Sequence, residues 1–432
     1  METAVGISIF TCAGMLTSIL FKPSVNVKRH SVSIYWIVVL AGACALLITG
    51  CISMSEVLSG LSADTAVNPI KILVLFFSMS MLSVFLDEVG FFRYLACLTL
   101  TKAKASQKKL FVFLFVIVSV LTVFTSNDII ILTFTPFICY FAKNAGIDPT
   151  PYLFCELVAG NTWSMMFIIG NPTNIYLATA NGIGFVDYFK VMSLPTLAGG
   201  LTAFFVLYLI FRRKLELPLS PKPMEERITD KRLLGIGLFH LGTCTVMLVI
   251  SAYIKMEMWL ITLAFACSLF MFDFLYRQLS HTKGNELKSC LKRAPWEMIP
   301  FILSMFVIVL TLDKYQITAL LSGLLECDHP EFSYGAASFV TANIINNIPM
   351  SVLFCPVIAF SQSVNLSTVY ASIVGSNLGA LLTPVGALAA IMWSNILKEN
   401  HVAFKYSSYI KNGILVSIPT ITVTLIVLSL SF

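Results

Sequence analysis

Two short polar clusters stand inside long apolar runs of this chain, and their residue types suit binding of a small solute. The first is Ser126-Asn127-Asp128 and the second is Asn346-Asn347. Each is followed by a proline at the same distance: Asn127 to Pro136 is nine residues, and so is Asn347 to Pro356. A second matched pair lies downstream, where Asn161 precedes Gly170 by nine residues and Asn377 precedes Gly386 by nine. Asn and Ser side chains cap free backbone N–H groups at helix starts. A helix start with free N–H groups favours an anion or a polar oxygen, and unpaired carbonyls favour a cation or a hydroxyl donor. Polar groups and helix breakers are costly in hydrocarbon unless they line a cavity or a site. Two matched sets, one per half, are the pattern of an internally duplicated transporter.

Asp128 is the acid of these clusters, which makes it the candidate coupling-ion site together with Ser126. Asn127, Asn161, Thr173, Asn174, Asn346, Asn347, Asn377 and Thr383 are the candidate substrate ligands. The other ionisable residues in apolar segments have quieter readings. Asp87 and Glu88 stand shortly before Arg93 and read as an ion pair or interfacial anchor. Glu156, close to Asp148 and Pro149, reads as facing the cytoplasmic interface, and His240 as a hydrogen-bonded packing residue. No Lys or Arg falls in 125–142 or 335–397. A site for a di- or trivalent anion often includes a cation. Its absence favours a small neutral polyhydroxyl solute such as arsenous acid, or an anion held by dipoles and a co-bound cation.

The elements that must hold these residues follow from composition. Of 432 residues 57% are hydrophobic and only 12% charged, with a mean hydropathy of +0.87. Soluble domains carry about 25% charged residues, so this is an integral membrane protein of all-α class, about 20 apolar residues being enough to span a bilayer. Spans are expected near 2–21, 31–50, 69–92, 195–211, 235–254, 258–276, 297–313 and 409–431. Re-entrant hairpins are expected at 110–141 and 332–359, and broken helices at 152–180 and 366–397. In the broken helices Gly170-Asn171-Pro172 and Thr383-Pro384 interrupt the helix, Pro by removing a hydrogen bond and Gly by letting the chain unwind.

Loop charges set the orientation. Lys22, Lys28 and Arg29, then Lys102 to Lys109, then the central 212–234 segment, then Arg277 to Arg293 are basic, whereas 51–68 holds Glu56 and Asp64 and no Lys or Arg. With basic loops in the cytoplasm the N-terminus is outside. The halves 1–211 and 235–432 then have opposite orientation, joined by a cytoplasmic linker carrying Pro218, Pro221 and Pro223. The expected fold is two inverted repeats, each of about five transmembrane helices plus one re-entrant hairpin and one broken helix.

The net charge of +6 is placed by the positive-inside rule and does not suggest nucleic-acid binding. The 11 cysteines show no CxxC or Cys/His metal spacing and read as small hydrophobes. The run 4–21 lacks a preceding basic region and reads as a first span rather than a cleaved leader. There is no GxxxxGK[ST] motif for direct ATP use and no clustered His/Asp/Glu set, so no enzyme, cofactor or metal is expected.

At this point the residues resemble a family. LDEVGFFRYLA (Leu86 to Ala96), SNDIIILTFTP (Ser126 to Pro136), GNPTN (Gly170 to Asn174), PWEMIPFILSM (Pro295 to Met305), NNIPMS (Asn346 to Ser351) and GSNLGALLTPVGALAAIMW (Gly375 to Trp393) resemble the ion-transporter superfamily. That superfamily includes ArsB-type arsenite permeases, NhaD-type sodium/proton antiporters and divalent-anion/sodium symporters. The tips Ser-Asn-Asp and Asn-Asn-Ile depart from the Ser-Asn-Thr triplet of the symporters, and GNPTN is closer to the antiporters. The resemblance implies inverted repeats, a transport core between the hairpin tips, and an elevator-like shift of that core against a scaffold that is often a homodimer. It implies a plasma-membrane secondary transporter, with proton-motive-force-driven export of arsenite or antimonite as the leading expectation. Sodium-coupled transport of a carboxylate or inorganic anion, or sodium/proton exchange, is the alternative.

Overall fold

The architecture is that of a computed structural model, which describes all residues except 23, 28, 29, 64–67, 105, 219–227, 229, 282–285, 362–365, 403 and 404. Of the residues used above to orient the chain, Lys28, Arg29, Asp64, Pro221 and Pro223 lie outside the described ones. Ten helices precede the central loop: α1 (Glu2–Phe21), α2 (Tyr35–Ile48), α3 (Met54–Ser62), α4 (Pro69–Glu88), α5 (Phe91–Ala103), α6 (Gln107–Phe124), α7 (Asn127–Ala145), α8 (Thr150–Trp163), α9 (Pro172–Ala180) and α10 (Phe185–Phe211). Ten follow it: α11 (Lys231–Ile254), α12 (Met258–Ser280), α13 (Glu286–Arg293), α14 (Met298–Lys314), α15 (Ile317–Leu325), α16 (Pro330–Ile345), α17 (Asn347–Ala359), α18 (Leu366–Gly379), α19 (Leu388–Glu399) and α20 (Tyr406–Ser429). Eight helical segments among the described residues are long and apolar enough to cross a membrane.

Three local features depart from the sequence reading. Ser24–Val27 and His30–Ser33 pair as a short antiparallel hairpin in front of α2, with Val25 opposite Val32, so the segment read as a span from 31 begins as strand. SVNV and HSVS alternate apolar and polar residues, the strand period. The span read as 69–92 ends at Glu88, because Gly90 takes φ +88 and starts a new helix, α5. Short helices α3, α5, α13 and α15 occupy stretches read as loops or loop edges; at 8 to 13 residues they are too short to span.

Packing partners exchange between the halves. α2 packs on α14, and α12 on α4; α3 touches α14, and α13 packs on α4; α17 packs on α9, and α19 on α7. Within each half, α6 lies on α8 and α16 on α18, while α10 and α20 lie against one another. Two of the short helices, α3 and α13, are tied down by ions of opposite sense. Glu56 of α3 pairs with Lys314 at the end of α14 (2.8 Å). Arg293 of α13 pairs with both Asp87 and Glu88 at the end of α4 (2.6 Å each). The ion pair read for Asp87 and Glu88 is therefore made, and its cation is Arg293. His240 bonds Ile236 O and Ser268 Oγ, as a packing residue does.

Candidate functional site

The two tips break their helices in different ways. Between α6 and α7, Thr125 and Ser126 are extended, and the Thr125 hydroxyl donates to Leu121 O (2.7 Å), which ends α6. Between α16 and α17 a single residue turns the chain: Asn346 has φ +74 and ψ 154. That region is essentially glycine's and costs about 1–3 kcal/mol for a residue with a side chain. Asn346 is held there by its own side chain, with Oδ1 accepting from Ile348 N (3.3 Å) and Nδ2 donating to Val385 O (2.9 Å). The second bond ties the tip to the interruption between α18 and α19. Pro136 and Pro356 lie inside α7 and α17.

The interrupted helices converge on Asn377. Its Oδ1 accepts from Ser164 Oγ (2.9 Å) and Asn171 Nδ2 (2.9 Å), and its Nδ2 donates to Asn174 Oδ1 (2.7 Å) and to Ile373 O (2.8 Å). The single Ser164 O–H is shared between Asn377 Oδ1 and Asn161 O (3.0 Å), and Asn161 Oδ1 accepts from Asn127 Nδ2 (3.2 Å). These bonds have a fixed direction. Asn161 Nδ2 donates to the Leu157 carbonyl (2.8 Å), so its Oδ1 can only accept, and Asn127 must present its Nδ2 there. Asn127 Oδ1 is left buried with no hydrogen-bond partner among the described residues, as are Asn347 Oδ1, Ser126 Oγ and Ser376 Oγ. A buried orphan of this kind costs about 1–3 kcal/mol. Ser126 and Asn127 belong to the first tip, Asn347 to the second, and Ser376 stands beside Asn377; buried orphans also occur elsewhere, at Thr196 and Ser417 for example.

Other candidates are used within the protein. Thr173 N and Oγ1 donate to Asn171 Oδ1, capping α9. Thr383 Oγ1 donates to Asn343 Oδ1 (2.6 Å), while Asn343 Nδ2 reaches Gly379 O (3.0 Å). Asn174 Nδ2 closes the first interruption on Ser164 O and Phe167 O. Ser164, Asn171 and Asn343 carry this framework and were not among the chosen candidates. Ser164 and Asn171 stand in the interrupted stretch, where the sequence carried a signal, whereas Asn343 lies on α16, on the other side of the Asn346 turn from Asn347. Glu156 departs from its reading: it is fully buried, not facing an interface, because α8 is covered along its length. Both its carboxylate oxygens accept from the Thr135 hydroxyl of α7 (2.9 and 3.1 Å).

Asp128 is set apart from this network. It lines a cavity of about 420 Å³ with Ser126, Tyr35, Arg293 and Glu297. No hydrogen bond or ion pair to Asp128 exists among the described residues. Among those residues no group of His, Cys, Asp and Glu could hold a metal ion.

A family model described as citrate transporter matches residues 32–375. The chain belongs to the citrate transporter family. Its relatives include the arsenical pump membrane protein of Escherichia coli, 25% identical over 370 residues, an alignment spanning 82% of this chain and 85% of the relative. The putative arsenical pump membrane protein of Bacillus subtilis (strain 168) is 24% identical over 417 residues, with 89% and 91% covered. Among solved structures, the YdaH transporter of Alcanivorax borkumensis superposes with a TM-score of 0.58 at 11% identity, covering 99% of this chain and 97% of that one. The likeness is one of fold. This family member is a multi-pass plasma-membrane transport protein.

Proposed function

We propose that the chain is a secondary transporter exporting arsenite or antimonite, coupled to the proton motive force through Asp128. The observation that carries the substrate reading is the chemistry of the buried orphans. Asn127 Oδ1 and Asn347 Oδ1 are acceptors, and Ser126 and Ser376 hydroxyls can accept as well. Arsenous acid presents three O–H donors and no charge, which matches them. Citrate, the solute of the family's name, presents up to three carboxylates, which would meet further acceptors at these atoms; of the cations lining the Asp128 cavity, Arg293 is engaged by Asp87 and Glu88 and Lys292 is exposed. The names of the relatives point the same way.

One observation favours a second reading. Carboxamide oxygens also suit a sodium ion, so sodium coupling, sodium/proton exchange or sodium-coupled anion uptake uses the same atoms.

The proposed frame is two inverted repeats, 1–211 and 235–432, with re-entrant hairpins α6–α7 and α16–α17 and broken helices α8–α9 and α18–α19, joined by 212–234. The exchange of packing partners between halves supports it: a pseudo-two-fold axis turns each such contact into its counterpart. In an elevator-type cycle the hairpins and broken helices would move as one body, held by the Asn377 network, against a scaffold containing α2, α4, α12 and α14. A homodimer within the bilayer is part of this reading. The test is expression in an arsenite-sensitive host, with accumulation of arsenite measured alongside membrane content. Lowered accumulation that persists without sodium is the expected result. Unchanged accumulation with the protein in the membrane overturns the substrate, and a strict sodium requirement selects the second reading.

A further inference from the structure

The sequence stretch PWEM (Pro295 to Met298) belongs to neither matched tip and forms one wall of the cavity that holds Asp128. Its acid, Glu297, stands immediately before α14. One carboxylate oxygen accepts from Ser33 N (3.1 Å) and the other from the Tyr35 hydroxyl (3.5 Å). Tyr35 is buried, 6% exposed, and faces the cavity that Asp128 also lines. All three residues line the same cavity. Thus a phenol bonded to the acid at the start of α14 shares a cavity with the acid of the hairpin tip on α7.

Resting on the reading of Asp128 as the coupling acid, we infer that Tyr35 and Glu297 form the cytoplasmic proton exit for Asp128. The step balances without a further reactant. Asp128 and Tyr35 share the cavity without a direct hydrogen bond, so the Asp128 carboxyl gives its proton to a water in the cavity as that water passes one of its own to Tyr35 Oη and the Tyr35 O–H proton passes to a Glu297 oxygen. Asp128 ends as carboxylate, Tyr35 is again a neutral phenol, and Glu297 is protonated until it releases the proton to the cytoplasm. Tyr35 and Glu297 belong to the proposed scaffold and Asp128 to the moving core, so the relay would be complete only when the tip is on this side. That would restrict proton release to one end of the cycle, which is what coupling requires.

The other charged groups facing this space are Lys292 and Arg293. Arg293 is paired with Asp87 and Glu88. α4 and α19 present apolar and neutral polar side chains to the cavity, and from α8 the acid facing α7 is Glu156, bonded to Thr135. Relay residues touch the proton and not the solute, so their loss should slow deprotonation without changing solute affinity. A merely structural Glu297, tying Ser33 to α14, would behave otherwise.

The test uses the purified full chain in proteoliposomes, with proton flux followed by a trapped pH dye and driven by arsenite or, in parallel vesicles, by citrate. Tyr35→Phe and Glu297→Gln should each lower maximal flux about tenfold or more, in line with loss of a positioned proton acceptor. They should leave the half-saturating solute concentration unchanged, make flux depend on the concentration of imidazole buffer on the cytoplasmic face, and recover with imidazole. Glu297→Asp should retain most of the flux with an altered pH profile. If Asp128→Asn abolishes coupled flux while Tyr35→Phe and Glu297→Gln keep the wild-type pH profile, the relay is wrong and the coupling role of Asp128 stands. A Glu297→Gln loss that imidazole does not restore, with Tyr35→Phe normal, makes Glu297 a structural tie and also overturns the relay. Coupled flux surviving in Asp128→Asn overturns both readings.

Discussion

Asn377 Nδ2 lies 2.7 Å from Asn174 Oδ1, joining side chains 203 positions apart in the chain. With Ser164 and Asn171 on the other end of the same amide, one residue of the second half holds three of the first. Asn377→Ala would leave Ser164 Oγ with only its bond to Asn161 O, and Asn171 Nδ2 and Asn174 Oδ1 without these partners, all of them buried. Hydrogen bonds between membrane helices average about 0.6 kcal/mol, but a buried orphan costs about 1–3. We expect a loss of about 2 kcal/mol or more, read as a lower unfolding midpoint in detergent, together with loss of transport. Asn377→Asp should be worse still, because it offers no donor to Asn174 Oδ1 and Ile373 O. A midpoint within error of wild type for Asn377→Ala would remove the network from the account of how the halves are held.

Gly170 and Gly386 lie where the interrupted helices fold back on themselves. A Cβ at Gly170 would sit 2.3 Å from Ser164 O, and one at Gly386 2.6 Å from Gly379 O. The obstacle in both cases is backbone of the same interruption, which cannot rotate aside. Gly170→Ala and Gly386→Ala should each destabilise by about 1–3 kcal/mol. Gly242, on α11 with nothing within 4 Å of an added Cβ, is the control: Ala there should be neutral or stabilising by up to about 1 kcal/mol. Equal melting behaviour of all three variants would contradict this reading.

These positions explain what could be read from the chain and what could not. The nine-residue spacings marked Asn161, Gly170, Asn377 and Gly386 because each interrupted helix carries the same parts: an amide that reaches outside its own helix, Asn161 to Asn127 and Asn377 to Ser164, Asn171 and Asn174, and a glycine that lets the chain close. Helix positions followed from apolar length. What stayed hidden depends on contacts between distant segments. Asn377 meets three residues of the other half, Glu156 turns inward to Thr135, and Arg293 rather than Arg93 pairs with Asp87 and Glu88, and no local spacing encodes such meetings. The four short helices and the Ser24–Ser33 hairpin were missed for a different reason: they are too short to carry a span signal.

Glu56 gives a prediction outside the membrane. Lys314 donates to it, and Ser53 donates through both its backbone N–H and its hydroxyl. The Lys314 hydrogen bond first, then those of Ser53, hold the carboxyl at about 2, below its ordinary 4.5. Because the folded value is the lower one, the interaction is fully present above about pH 4.5 and is lost as the pH falls toward 2. Carbon-13 NMR of labelled Glu should show Glu56 titrating near 2 in the wild type, and closer to its ordinary value in Lys314→Ala. A titration unchanged by that substitution would assign the shift to Ser53 alone.

Arg293 lines the cavity of Asp128 but is held by two carboxylates at 2.6 Å, those of Asp87 and Glu88. This arrangement keeps a cation near the proposed coupling site without letting it neutralise that site. The double variant Asp87→Asn with Glu88→Gln removes both anions while preserving side-chain size, so the guanidinium must find another partner. Asp128 and Glu297 are the acids on the cavity wall. An opposite charge within about 4–6 Å favours a carboxylate's ionised form by about 1–3 pH units. The pH midpoint of coupled flux in proteoliposomes should therefore move down by about one unit or more, with expression largely retained. Adding Arg293→Gln to the double variant should return the midpoint to its wild-type position. A midpoint that does not move in the double variant means that Arg293 cannot reach Asp128, and its role is then confined to fastening α13 to α4.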